Sequence, residues 1–275
     1  MNNSTLFNDS EASTTRVTQV TGVCTNGPIS AYVITPEQPA NQTPLMAIHG
    51  ISREAEEIVK QFRPEAAVNR QVIIVPDFGK DTWPVFQRIT NKHRPDLALL
   101  TLLNVLRQDR VIGHQRVNLF GFSGGAQLAH RFAMLFPELV DQIHLGAAGW
   151  YTLPLPNLPY PLGMGPGSSK GNWHRLMESS LPHFLNRPIQ VYVGTDDVEQ
   201  DKALRRDTLL NQVQGDTRVE RAERYVSLIS HHQTEIGFPL KAQLKLLENC
   251  GHDFKQCCTE GGMIEMIRPP YKPEH

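Results

Sequence analysis

The sequence predicts an α/β fold: a mainly parallel central sheet with helices on both faces. Three observations carry this. Short runs rich in Val, Ile and Leu recur along the chain, among them Leu45-Met46-Ala47-Ile48, Val72-Ile73-Ile74-Val75 and Ile189-Gln190-Val191-Tyr192-Val193. Their near-continuous apolar character is that of strands buried on both faces. Stretches of helical length and period separate them, and that alternation builds parallel sheets. Two alternating segments near the N-terminus lie close enough to pair as a hairpin.

Residues up to about Thr15 are polar and are expected to be loose, leaving 16–275 as one domain. Arg16 to Val23 and Ile29 to Ile34 alternate in polarity around Asn26-Gly27-Pro28, which marks the hairpin and an antiparallel edge. Pro36 to Pro44 is a loop. The strand at Leu45 runs to Gly50. Glu54 to Arg70 has a helical pattern in which Pro64 predicts a kink or a break. Gln71 to Pro76 is the next buried strand, and Asp77 to Arg94 is irregular. Asp96 is placed to cap a helix over Leu97 to Arg110, whose apolar positions Leu99, Leu100, Leu102, Leu103 and Leu106 match a 3.6-residue period.

Val117 to Phe120 is a strand, and Ala126 to Met134 is a helix. Asp141 to Gly146 continues the sheet. Residues 150–187 break the rhythm with Pro154, Pro156, Pro159, Pro161 and Pro166 among glycines, a composition unsuited to regular structure. This segment reads as a short lid or rim ending in a helical piece, Trp173 to Leu185. Its residues Trp150, Tyr151 and Tyr160 read either as a substrate wall or as side chains that pin the loop. Pro188 to Gly194 is a strand. Two helices, Asp201 to Val213 and Arg218 to Ile236, are divided by Gln214-Gly215-Asp216, with Gly237 and Pro239 as a stop. Gln243 to Glu248 is the last strand, and a helix closes the chain.

The most informative residues lie between the strand at Val117 and the helix after it: Gly121-Phe122-Ser123-Gly124-Gly125. A Gly-x-Ser-x-Gly run at a strand-turn-helix junction holds the serine in a strained turn with its hydroxyl exposed. The glycines are required where a Cβ would strike the turn or the neighbouring strand. A serine hydroxyl is a poor nucleophile near neutral pH and needs a base held by an orienting acid. Candidates follow in the order acid, then histidine. Asp197 lies three residues beyond Gly194 at the end of a buried strand, with Asp196 as its rival. His252 lies in the loop Asn249-Cys250-Gly251-His252-Asp253-Phe254 after the last strand. The N–H groups of Gly124 and Ile51 are the candidate donors to a developing oxyanion, each contributing roughly 3–4 kcal/mol to the transition state. His49, His130 and the His231-His232 pair read as structural or solvated histidines. Arg53, just after the oxyanion loop, reads either as a group that binds a substrate carboxylate or as one that is solvated or paired with a glutamate.

These four motifs, His49-Gly50, Gly121 to Gly125, Gly194 to Asp197 and Gly251 to Phe254, resemble those of serine hydrolases of the α/β-hydrolase superfamily over nearly the whole chain. The doubled glycine after Ser123 is similar to the polyhydroxybutyrate-depolymerase-like and feruloyl-esterase-like branch. The resemblance implies a carboxylic ester or related acyl substrate, with Ser123, Asp197 and His252 as a triad. A serine peptidase or an acyltransferase would use the same motifs. A degenerate member serving as a binding protein would usually have lost one of them.

Bulk properties narrow the partners. Lys plus Arg is 27 and Asp plus Glu is 28, so nothing favours nucleic acid or an anionic membrane. No apolar run approaches the roughly 20 residues of a membrane span. The first residues lack a secretory signal, which predicts a cytoplasmic protein. Cys24, Cys250, Cys257 and Cys258 are too few for a disulfide scaffold and lack zinc-knuckle spacing, so no metal and no cofactor are expected. A Cys250–Cys257 disulfide is the alternative in an oxidising compartment.

Overall fold

The computed structural model describes residues 14–113, 115–167, 172–198, 202 and 204–268. Of the expected loose N-terminus, residues 1–13 lie outside the described residues, as do Asp201 and 269–275. Eight strands form one sheet in the order β1-β2-β4-β3-β5-β6-β7-β8. They are β1 (Thr15–Cys24), β2 (Gly27–Pro36), β3 (Leu45–Ile48), β4 (Ile73–Asp77), β5 (Val117–Phe122), β6 (Val140–Gly146), β7 (Ile189–Gly194) and β8 (Ala242–Leu247). β1 and β2 form the hairpin, with Cys24 opposite Gly27, and β2 runs antiparallel to β4. From β4 onward every pairing is parallel.

The period of two along each strand divides the core between two faces. Met46, Ile48, Leu119, Val191 and Val193 point to one face. There they meet α2 (Pro95–Gln108), α3 (Gly124–Leu135), α4 (Trp173–Leu185) and α6 (Arg218–Glu235). Leu45, Ala47, Phe120, Phe122 and Tyr192 point to the other. There they meet α1 (Ala55–Asn69), α7 (Phe254–Thr259) and α8 (Met263–Met266). Every residue of α3 is buried, so the helix behind the serine turn is fixed on all sides.

Three expectations change. Pro64 neither breaks nor ends α1, which continues to Asn69. Its exposed position leaves the forfeited backbone bond to water, while Ile58, Val59, Phe62 and Ala66 bury the opposite side. Asp96 does not cap α2. Arg94 occupies the cap position with Pro95 after it, and buried Asp96 instead accepts from Arg94 Nη2 at 2.6 Å. The helix expected from Asp201 is α5 (Thr208–Gln214) and begins only after Asp207, whose carboxylate accepts from Leu210 N. A stronger cap, with the reciprocal bonds of Thr217 and Glu220, starts α6 where expected.

Residues 151–167 contain no helix. The segment packs on itself and into the body: Leu153, Tyr160 and Met164 join the core beneath it. A Cβ at Gly163 or Gly165 would lie 2.4 Å from a carbonyl oxygen of the same loop, so glycine is required there. No helix among the described residues is long and apolar enough to cross a membrane.

Candidate functional site

The candidate residues gather at the carboxyl ends of the parallel strands, where open α/β sheets offer a crevice. β5 ends at Phe122, and Ser123 turns the chain directly into α3 with φ 52° and ψ −112°. A non-glycine residue with positive φ is strained, and here its surroundings hold it. Ser123 N donates to Gly146 O on β6 at 2.8 Å. A Cβ on Gly121 would lie 2.3 Å from the carbonyl carbon of Gly125. One on Gly125 would lie 2.1 Å from Ile48 O. Gly121 lets the first turn of α3 lie against β5, and Gly125 lets it lie against β3. A Cβ on Gly50, by contrast, would meet only ordinary contacts, the nearest at 3.5 Å, so close approach does not require glycine there.

β7 delivers Asp197. The loop that carries it is stitched to the loop of His252. Thr195 N donates to Leu247 O, Asp196 N to Cys250 O, and Asn249 N to Thr195 Oγ1. A Cβ on Gly194 would lie 2.0 Å from Cys250 O, so only glycine allows the two loops to close. The result is a continuous hydrogen-bonded chain. His252 Nδ1–H donates to Asp197 Oδ2 at 2.9 Å, and His252 Nε2 faces Ser123 Oγ at 3.1 Å, positioned to accept its proton. Phe122 stacks on the imidazole with centroids 5.3 Å apart, and Phe254 packs edge-on against Phe122. Asp196 is exposed and accepts from Thr195 Oγ1. Asp197 is the acid that the histidine uses.

Sequence reasoning missed Arg218. Its Nη1 donates to Asp197 Oδ1 at 3.0 Å, and both side chains are almost completely buried. Asp197 thus has one oxygen on a guanidinium and the other on the imidazole. A signal was present: Arg218 and Arg221 lie on the same face of α6 as buried Ala222, Tyr225 and Ile229. Arginines on an apolar stripe must find polar partners inside.

Ile51 comes from the loop after β3. A Cβ on Gly124 would approach Ile51 N to 3.4 Å, so the two backbones run close together. Gly124 opens α3, and its N–H has no acceptor within the helix. His49 pins the Ile51 loop: its Nδ1–H donates to Gly50 O, and its Nε2 accepts from Phe78 N. Arg53 is partly exposed and, among the described residues, pairs with no glutamate. Its guanidinium holds the carbonyls of Phe78, Trp83 and Pro84. A cleft of about 310 Å³ opens over Ser123 and His252 between Ile51, Ser52, Asp253 and Phe254. Trp150, Tyr151 and Tyr160 are not among its lining residues. Tyr151 stacks on Tyr225 in the interior, and Tyr160 donates to Ile89 O. Among the described residues no group of His, Cys, Asp and Glu could hold a metal ion, and all four cysteines are free thiols.

Three buried histidines, His49, His130 and His144, are held neutral, because burial disfavours the imidazolium. His130 uses both nitrogens, Nδ1–H to Ala126 O and Nε2 from Thr152 N, which ties α3 to the 151–167 segment. Burial pushes the His144 pKa down to about 4. An unfolded histidine binds its proton near 6.5. The stabilisation from these groups is therefore complete above about pH 6.5 and is lost as pH falls, His144 alone accounting for roughly 3 kcal/mol by pH 4. The urea midpoint is expected to drop between pH 7 and pH 4.5. An unchanged midpoint would show that these imidazoles are not held neutral.

No family model and no curated protein sequence matches the chain. Solved structures do. A poly(aspartic acid) hydrolase from Sphingomonas sp. KT-1 superposes with a TM-score of 0.73 at 19% identity, over 92% of this chain and 97% of that one. A poly(3-hydroxybutyrate) depolymerase from Bordetella parapertussis gives 0.74 at 21% identity, over 91% and 87%. An S-formylglutathione hydrolase from Agrobacterium tumefaciens gives 0.63 at 15% identity, over 94% and 95%. At these identities the likeness is one of fold, and the chain has the α/β-hydrolase fold.

Proposed function

We propose that this protein is a serine hydrolase that cleaves a carboxylic ester through an acyl-enzyme intermediate. The observation that carries the reading is the unbroken chain Ser123–His252–Asp197, presented by a serine in a strained left-handed turn. His252 takes the Ser123 proton as Oγ attacks the substrate carbonyl. Asp197 keeps the proton on Nδ1, so that Nε2 is free to act as base, and stabilises the imidazolium that forms. The oxyanion is received by the N–H groups of Gly124 and Ile51, a pair held in place by His49 and by the first turn of α3. His252 then gives its proton to the leaving alcohol, and water repeats the sequence on the acyl group.

The three proteins named above are hydrolases or a depolymerase by name, which agrees with this class of chemistry. A binding protein on the same fold has no need to keep three polar side chains bonded in sequence at a strained turn. The cleft is open and modest in volume, which suits a small acyl group better than a long lipid chain. The test is a fluorophosphonate probe, with the adduct located by peptide mass spectrometry, beside turnover of p-nitrophenyl esters from acetate to palmitate. Labelling at Ser123 with ester turnover is the expected result. A folded protein that neither labels nor turns over any ester overturns the proposal.

A further inference from the structure

Three guanidinium groups surround one indole beside the serine turn. The Cζ atoms of Arg131, Arg205 and Arg88 lie 4.3, 5.1 and 5.8 Å from the centre of the Trp150 ring. The chain as a whole is nearly neutral, so this local excess is not a consequence of composition. Like charges so close repel one another, and an indole face compensates only part of that.

The carboxylates that would normally neutralise such a group are few. Arg131 is fully buried, yet among the described residues its hydrogen-bond partners are neutral oxygens: Thr152 Oγ1, Gln87 O and Gln127 O. Its Nη2 is buried with no hydrogen-bond acceptor. Arg88 Nε is likewise buried without one, and among the described residues no carboxylate pairs with Arg88. Of the three, among the described residues Arg205 has an acidic partner, Asp207 at 2.7 Å, and that ion pair is about one-third exposed. Buried charges are ordinarily paired, and two arginines left in this state mark a place for an anion.

The cluster adjoins the site of the proposed chemistry. Gln87, whose carbonyl holds Arg131, packs its Cβ 3.6 Å from where a Cβ on Gly124 would stand. Trp150 follows the end of β6, whose Gly146 carbonyl anchors Ser123 N. Arg131 lies eight residues along α3 from Ser123, and its side chain reaches back one turn to Gln127 O. This places the charge about 6–12 Å along the helix axis from the nucleophile. Arg88 and Arg205 are partly exposed, so a ligand can reach them while Arg131 lends charge from behind.

We infer that Arg88 and Arg205, backed by Arg131 on the Trp150 face, form a subsite for a carboxylate carried by the substrate a few carbons from the scissile carbonyl. The inference rests on the reading of Ser123 as the nucleophile and adds to it the charge of the substrate. Guanidinium forks match the two oxygens of a carboxylate, and the buried indole holds the guanidiniums together from beneath. Trp150 thereby serves recognition from beneath the subsite, although its own ring is buried.

The test compares mono-p-nitrophenyl adipate with p-nitrophenyl hexanoate, esters of equal acyl length that differ in the terminal carboxylate. The wild type is expected to favour the adipate in kcat/KM by about tenfold or more, the worth of one charge-assisted hydrogen bond. Arg88→Gln and Arg205→Gln are each expected to cut that ratio about tenfold, and 0.5 M NaCl to reduce it. A ratio near one in the wild type, or a ratio unmoved in both variants, overturns the subsite while leaving the nucleophile standing. Calorimetric titration with adipate covers the case in which neither ester turns over. Adipate binding that weakens in either variant then upholds the subsite and counts against the ester-cleaving reading of Ser123. Absence of adipate binding overturns the subsite.

Discussion

Changing Asp197 to Asn is expected to lower kcat on an activated ester about 10⁴-fold while leaving the protein folded. Asp197 Oδ2 accepts from His252 Nδ1. An Asn amide either donates in that place, forcing the proton onto Nε2, or accepts without the charge that stabilises the imidazolium. In both cases the base facing Ser123 is impaired. Ser123→Ala removes the attacking atom, with an expected loss near 10⁶-fold, set by the turnover that binding and the oxyanion donors alone sustain. Asp196→Asn is expected to change little, because that side chain is exposed and touches neither histidine nor serine. The Asp197 change also takes a negative charge from beside buried Arg218, at a stability cost of about 3 kcal/mol. Pre-steady-state and steady-state rates on p-nitrophenyl butyrate, with urea midpoints measured in parallel, separate the two effects. If Asp196→Asn abolished turnover and Asp197→Asn did not, the acid would be misassigned.

Gly125→Ala is expected to prevent folding altogether or to cost more than about 4 kcal/mol. The added Cβ would lie 2.1 Å from Ile48 O and 2.6 Å from His49 O. Both are backbone atoms at the end of β3, which is paired on each side, and α3 is buried on every face. Neither element can move away without opening the core on that side of the sheet. Gly124→Ala makes the contrast. Its Cβ would meet Ile51 Cγ2 at 2.6 Å, the end of a half-exposed side chain that can swing into solvent. A cost near 1 kcal/mol and a soluble protein are expected there. Soluble yield and urea midpoints of the two variants decide the matter. Equal tolerance at both positions would mean that the turn is looser than its contacts imply.

Much of the architecture was written locally. The near-continuous apolar runs of the buried strands, the 3.6-residue stripe of α2, the cap before Arg218 and the glycines around Ser123 all act through neighbours a few residues apart. From them follow the parallel sheet, the antiparallel edge, and the chain order of serine, acid and histidine. What the chain could not show locally was decided across long separations. Asp197 rather than Asp196 faces His252 because Gly194 lies against Cys250 and draws two loops together. Ser123 and His252 meet although 129 positions apart. Arg218 reaches Asp197 from α6. Tyr151 and Tyr160, which the composition of their segment allowed to line a substrate wall, were instead drawn inward, because Tyr225 offered a stacking face and Ile89 a carbonyl. Sequence by itself determined most of the segments that become strand, helix and turn, since backbone propensity and periodicity are local, although the start of α5 and the cap of α2 differ from that reading. Only the tertiary structure decided which polar side chains are partners, because a buried charge or hydroxyl is satisfied by whatever folding brings within about 3 Å.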